Sequence, residues 1–227
     1  MYKGKLNLLG GFGQYVSVPS EQVFEIGEGL SFEEAALAEP VSCVIHSLAQ
    51  ADARFAESMI VYGVGPMGML HVIVGVAMGL RVGVVDPEPA RRQLALSLGA
   101  CVAAESGDEI KPQLKPDIIV VTAPVVQAVS SAFALAGHTT RIVLFGAFPK
   151  GTMMDADPNL IHYSELKVMG SESRAPQDFH IAVRAMCGGI VDVKPMVSKV
   201  VPLERIKQAL DEAPSVDTMR VVVELPD

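Results

Sequence analysis

Residues 59–86 read MIVYGVGPMGMLHVIVGVAMGLRVGVVD. The stretch opens on an apolar run, passes through a glycine-rich turn, continues apolar, and closes on a second apolar run ending at Asp86. With only His71 and Arg81 as possible charges before its final acid, it is long enough to cross a bilayer as one helix. Gly63, Gly65, Gly68, Gly75, Gly79 and Pro66 interrupt it, however, and favour a buried strand, a tight turn, a helix and a second buried strand.

Working outward, the same alternation repeats. Strands are expected at 59–64, 82–86, 101–104, 117–122, 141–146 and 166–170, with helices at 66–80, 89–98 and 125–136 between them and a last helix at 178–187. Gly79, Gly99 and Gly137 fall where helices need a C-terminal cap. Strands alternating with helices make an α/β fold, and six of them complete a doubly wound parallel sheet covered on both faces. Ahead of it, 12–18 alternates as a strand, Pro19 stops it, and 23–26 is a second extended stretch. Ser31 and Glu34 have capping-box spacing, and a helix is expected over 41–53. Beyond Pro195 a strand (197–201), a helix (203–213) and a strand (221–224) read as a small separate unit.

Half of the 227 residues are apolar, enough for one sizeable core. The formal net charge of -8, without clustered Lys and Arg, argues against nucleic acid and leaves small molecules as the expected ligands. Cys43, Cys101 and Cys187 are widely spaced, odd in number and without a CxxC pair, which fits a reducing cytoplasm. Residues 1–10 carry two lysines but no apolar run before a small-residue cleavage site, so a secretory signal is not expected.

Gly63-Val64-Gly65-Pro66-Met67-Gly68 fits G-x-G-x-x-G between an expected strand and an expected helix, the setting of a Rossmann dinucleotide site. In that pattern Gly63 permits the turn, Gly65 lets a pyrophosphate approach the backbone, and Gly68 lets helix and strand pack closely. Pro66 and Met67 open the helix whose free N–H groups and dipole would face the pyrophosphate. Asp86 ends the second strand at about the twenty-residue interval of the acid that holds the adenosine ribose; its other reading is a helix cap before Pro87 and Glu88. An acid there repels the 2′-phosphate of NADP, so NAD is the expected cofactor, against which Arg91 and Arg92 weigh. Arg91 is a candidate to border the adenine, although at least one of the two arginines is expected to be a solvated helix residue. S-adenosylmethionine, which also sits over a glycine-rich turn with an acid on the next strand, is the alternative ligand of another class.

Gly10-Gly11-Phe12 through Val18, Leu30 through Ala36, Ala38-Glu39-Pro40, the Gly63–Gly68 turn and Ile161 through Leu166 together resemble zinc-dependent medium-chain dehydrogenases over nearly the whole chain. Glu39-Pro40 is most similar to the polyol branch, the sorbitol and related sugar-alcohol dehydrogenases. The resemblance implies reversible hydride transfer between a secondary alcohol and NAD, with zinc polarising the alcohol oxygen. It implies that Glu39 lies at the metal, its other reading being a helix-initial acid before Pro40, that Thr122 borders the cofactor, and that the loop 148–157, with Met153 and Met154, contacts a second copy, a solvated Met pair being the alternative. It also implies remnants of a GroES-like catalytic domain at 1–44 and 191–227 around a Rossmann domain at 45–190.

Several departures qualify this. Family members begin with a segment that supplies a first catalytic cysteine, a His-Glu pair and often a four-cysteine zinc lobe, none of which occurs in this sequence. The chain is therefore expected to be truncated, to retain no zinc and to be inactive alone, with a non-catalytic NAD-binding protein as the alternative. Cys43, His46 and His71 are expected to be structural; Cys101, on a central strand, and Cys187, ending the last helix, should not converge with Glu39. Ala123 stands where the family has Gly, and Gly137-His138-Thr139-Thr140 replaces a Pro-Gly-Gly turn, changes expected to tighten or distort the nicotinamide side.

Overall fold

The computed structural model describes residues 11–13, 15–213, 215 and 218–226. In chain order its regular elements are α1 (Phe32–Ala35), α2 (Ala38–Gln50), β1 (Ser58–Tyr62), α3 (Pro66–Ala77), β2 (Arg81–Val85), α4 (Pro89–Ser97), β3 (Val102–Ala104), α5 (Gly107–Ile110) and β4 (Ile118–Val121). Then follow α6 (Val126–Leu135), β5 (Arg141–Leu144), α7 (Pro158–Tyr163), β6 (Lys167–Gly170), α8 (Pro176–Cys187), β7 (Val197–Pro202), α9 (Ile206–Glu212) and β8 (Arg220–Glu224). The first six strands form one parallel sheet in the order β3-β2-β1-β4-β5-β6, the doubly wound Rossmann arrangement.

Burial on both faces explains the unbroken apolar runs. Every residue of β1 and β4 is buried. Met59 and Val61 point into a core shared with α2, α3 and α8, whereas Ile60 and Tyr62 point to the opposite face, where α5 and α6 contribute Ile110 and Phe133. The 59–86 stretch is thus strand, helix and strand, and no helix among the described residues is long and apolar enough to cross a membrane.

Several expectations are corrected. Residues 15–18, expected within a strand, carry no regular structure: backbone N–H and C=O groups need a neighbouring ladder, and among the described residues none pairs with them. Gly10 and residue 14 lie outside the described residues. Residues 23–26 are likewise unpaired, behind a 3₁₀ turn at Ser20–Gln22. The helix expected over 41–53 starts at Ala38, because Pro40 sits in the first turn, where its missing N–H has no intrahelical partner to lose. Two short helices were not anticipated; Ser106 caps α5 and Asp157 caps α7 through side-chain oxygens. Gly79 and Gly99 adopt the left-handed conformation (φ 79° and 100°) that ends α3 and α4, but Gly137 does not: α6 ends on an extended Ala136. Cys101 is exposed and precedes β3, an edge strand, not a central one.

The C-terminal strand–helix–strand is present, with β7 and β8 paired in parallel. It is not isolated from the rest, because buried Met196 and Met219 join the core that contains Leu48, Leu70 and Met186.

Candidate functional site

β1 and β4 are neighbours whose following connections leave in opposite directions, so a crevice opens at their C-terminal ends. The glycine turn fills one side of it. Gly63 has φ +84° and donates its N–H to Val85 O at 2.8 Å, while the Thr122 hydroxyl donates to Gly63 O at 2.6 Å. A Cβ on Gly63 would lie 2.7 Å from the Ala123 methyl, and one on Gly68 would overlap Gly63 O. Gly65 differs: a Cβ there would meet nothing nearer than Arg91 Nη1 at 3.9 Å. Two of the three glycines are therefore required by protein packing, and the middle one faces open space at the first turn of α3.

That space is a cavity of about 750 Å³ that runs from the turn past Asp86 and the start of α5 to α6. Gly63, Gly65, Pro66, Met67, Asp86, Arg91 and Thr122 all line it; Gly68 does not, and packs instead against Gly63 O and the Thr122 hydroxyl. Asp86 is almost fully buried; Oδ2 accepts the Val64 amide at 2.7 Å and Oδ1 the Glu88 amide at 2.8 Å. The carboxylate thus binds main chain on both sides, and each oxygen keeps a second lone pair. The helix cap itself is Glu88, not Asp86.

The two arginines part ways. Arg92 Nη1 donates to Asp86 O at 2.7 Å and Pro87 O at 2.9 Å, so it secures the β2–α4 connection. Arg91 turns to the cavity, and its buried Nε has no partner among the described residues.

Glu39, in the first turn of α2, accepts Arg174 Nη1 at 2.8 Å, and the Cys43 thiol lies 3.5 Å from the same oxygen. Burial, reinforced by the Glu39 charge, pushes the Cys43 thiol up to about 11, which keeps it protonated at neutral pH. His46 bonds Asp178 at 2.8 Å, and the same carboxylate oxygen accepts the Ala175 amide at the start of α8. His71 is fully buried: Nδ1 donates to Met67 O at 2.8 Å, leaving Nε2 to accept the Ser47 hydroxyl at 3.1 Å. Burial lowers its pKa to about 4. No group of three His, Cys, Asp or Glu residues that could hold a metal ion occurs among the described residues. Glu39, occupied by a guanidinium, does not make a zinc site with its neighbours, so the donor set present does not fit that ion.

Sequence reasoning missed Arg220. Its Nη2 lies 3.1 Å from Met67 Sδ, and its buried Nε is unpartnered among the described residues, which holds a cation beside the glycine turn. Burial lowers its pKa, opposed by the Glu39 charge. A lone basic residue opening an apolar strand was the only available signal. The 137–140 turn also proves to be elsewhere than expected: it precedes β5, at the end of the sheet away from the crevice, where Thr140 Oγ1 donates to Pro116 O. It therefore cannot distort the nicotinamide side.

Residues 66–187 match a family described as zinc-binding dehydrogenase. The chain is 26% identical over 95% of its length to D-arabitol-phosphate dehydrogenase of Enterococcus avium and covers 64% of that protein. It is 29% identical over 90% of its length to sorbitol dehydrogenase of Bacillus subtilis, covering 60% of it. A structure assigned as a zinc-binding dehydrogenase from Sinorhizobium meliloti 1021, bound to NADP, superposes with a TM-score of 0.86 at 25% identity, over 94% of this chain and 66% of that one. The chain thus spans under two thirds of the length of these curated relatives.

Proposed function

Because this chain belongs to the zinc-binding dehydrogenase family, we propose that the cavity at its glycine turn holds NAD as the cofactor-binding part of a site for reversible hydride transfer with a secondary alcohol of a polyol or polyol phosphate, a site that this chain does not complete by itself. The relatives' names, sorbitol and arabitol-phosphate dehydrogenase among them, support this substrate class. The observation that carries the cofactor reading is the open cradle at Gly65, in a turn whose other two glycines are closed by packing. When bound, the cofactor supplies the hydride-accepting nicotinamide. The chain supplies position: the N–H groups at the start of α3 face the pyrophosphate, Gly65 lets it approach, and Asp86 receives the ribose hydroxyls. Thr122 holds the turn in shape through Gly63 O. Arg91 brings positive charge to the cavity, and Arg220 brings it beside Met67.

Residues 45–190 are proposed as the dinucleotide domain, with 1–44 and 191–227 as parts of a catalytic domain. Glu39 is the single residue here that the polyol branch would place at a metal. One carboxylate paired with Arg174 does not retain an ion, and the chain by itself is proposed to hold no stoichiometric zinc and to oxidise no alcohol. Metal analysis, an NAD-reduction assay across sugar alcohols and an NADH titration test this together. Binding of NADH without zinc or turnover is expected; one zinc per chain with turnover, or no NADH binding, overturns the reading.

The unpartnered Nε of Arg91 favours a second reading, in which NADP is taken because this cation meets the 2′-phosphate. Tighter binding of NADPH than of NADH would establish it.

A further inference from the structure

Tyr62 is the last residue of β1, directly ahead of Gly63, and its ring turns to the α6 face of the sheet. Its Oη lies 3.0 Å from Ser131 Oγ, and both residues line the cavity on the side of Asp86 away from α2 and α8. A Cβ on Gly107 would come within 2.6 Å of Tyr62 Oη and would overlap Ser131 Oγ. The chain entering α5 is thus bare where the two hydroxyls meet. Burial raises the phenol's pKa, so Tyr62 stays protonated across the neutral range.

Two hydroxyls bring two O–H donors, and their mutual bond uses one. Among the described residues neither makes another side-chain bond, so one donor and several lone pairs remain for a ligand. Most of the cavity surface is apolar, with Val85, Val125 and Ala128 in its lining beside the polar Glu105, Ser106 and Gln127. Packing alone does not call for the phenol oxygen, because a phenylalanine ring would fill the same volume.

We propose that the Tyr62–Ser131 hydroxyl pair reads the polar edge of the adenine base, so that the adenosine half of the cavity distinguishes adenine from a purine lacking its 6-amino group. This rests on the dinucleotide reading above. With the pyrophosphate at Gly65 and the ribose at Asp86, the base must occupy the remaining part of the cavity, toward α6. An exocyclic amine beside a ring nitrogen offers one donor and one acceptor, which a hydroxyl pair with one spare donor and spare lone pairs complements. A base without the amine leaves that polar floor unanswered, and an unanswered polar group in an apolar cavity is what gives discrimination.

The test is calorimetric titration of the full chain with ADP-ribose and with its 6-unsubstituted purine analogue, in the unmutated protein, Tyr62→Phe and Ser131→Ala. The unmutated chain should prefer ADP-ribose by about tenfold, the change expected for one hydrogen bond. Both variants should reduce that preference to within about twofold, while the affinity for reduced nicotinamide mononucleotide, which lacks the adenosine half, stays the same. Equal affinity for the two ligands in the unmutated chain, or a preference that survives both substitutions, overturns the base-reading proposal and leaves the dinucleotide site standing. Failure of the unmutated chain to bind ADP-ribose overturns both.

Discussion

Asp86 Oδ2 accepts the amide of Val64 at 2.7 Å, and through this bond the acid that ends β2 and the turn that follows β1 hold one another in place. The other carboxylate oxygen takes the Glu88 amide, so a single buried side chain ties three segments at the rim of the cavity. Charge-assisted bonds to buried amides are strong, and removing the acceptor strands the donors.

Asp86→Ser should therefore change two properties at once. Stability should fall by about 1–3 kcal/mol, read from urea denaturation, because two amides lose their acceptor. A preference for NADH over NADPH, expected in the unmutated chain, should largely disappear, read from fluorescence quenching by each cofactor. Equal affinities before mutation would remove the basis for NAD.

Gly65 and Gly68, three residues apart, should fail in different ways. Gly65 has φ -63°, which any residue adopts, and open space in front of it; Gly65→Val should keep the circular dichroism and melting behaviour of the parent while abolishing NADH binding. Gly68→Ala would place a methyl on Gly63 O, so helix and turn must separate at a cost of about 1–3 kcal/mol. A Gly65→Val chain that still binds NADH normally would put the pyrophosphate elsewhere.

His71 should give the fold an acid-sensitive component. Its pKa is lowered by burial from an ordinary 6.5 to about 4 in the folded state, so between those values the unfolded chain binds the proton and the folded chain does not. This contribution to stability is complete above about pH 6.5 and is lost as pH falls toward 4, by up to about 1.4 kcal/mol per pH unit. Denaturation curves across pH 4–7 should show a shallower slope for His71→Gln than for the parent. An unchanged slope would mean that other groups carry the effect.

Much of this arrangement is legible in the sequence. Gly63, Gly65, Gly68 and Asp86 announced the turn because each answers a local demand: a left-handed φ, a close approach, or an acid at a strand end. Arg91 and Arg92 were adjacent and chemically identical, so only the winding of α4 could send one into the cavity and the other to the carbonyls of Asp86 and Pro87. Residues 12–18 alternated like a strand, but a strand exists only with a partner, and alternation does not say whether one is there.

What the sequence determined by itself is the order of elements and the fold they form, because buried strands, helix faces and glycine turns are written in short-range patterns with periods of 2 and 3.6 residues. Tertiary structure alone decided which distant side chains share an end of the sheet. Arg220 came to rest on Met67 from 153 positions away, Arg174 reached Glu39 across 135, and Ser131 met Tyr62 across 69. No local pattern encodes those meetings; they follow from the strand order β3-β2-β1-β4-β5-β6 and from β7 and β8 packing back onto the main core, where one apolar cluster holds segments that the chain keeps far apart.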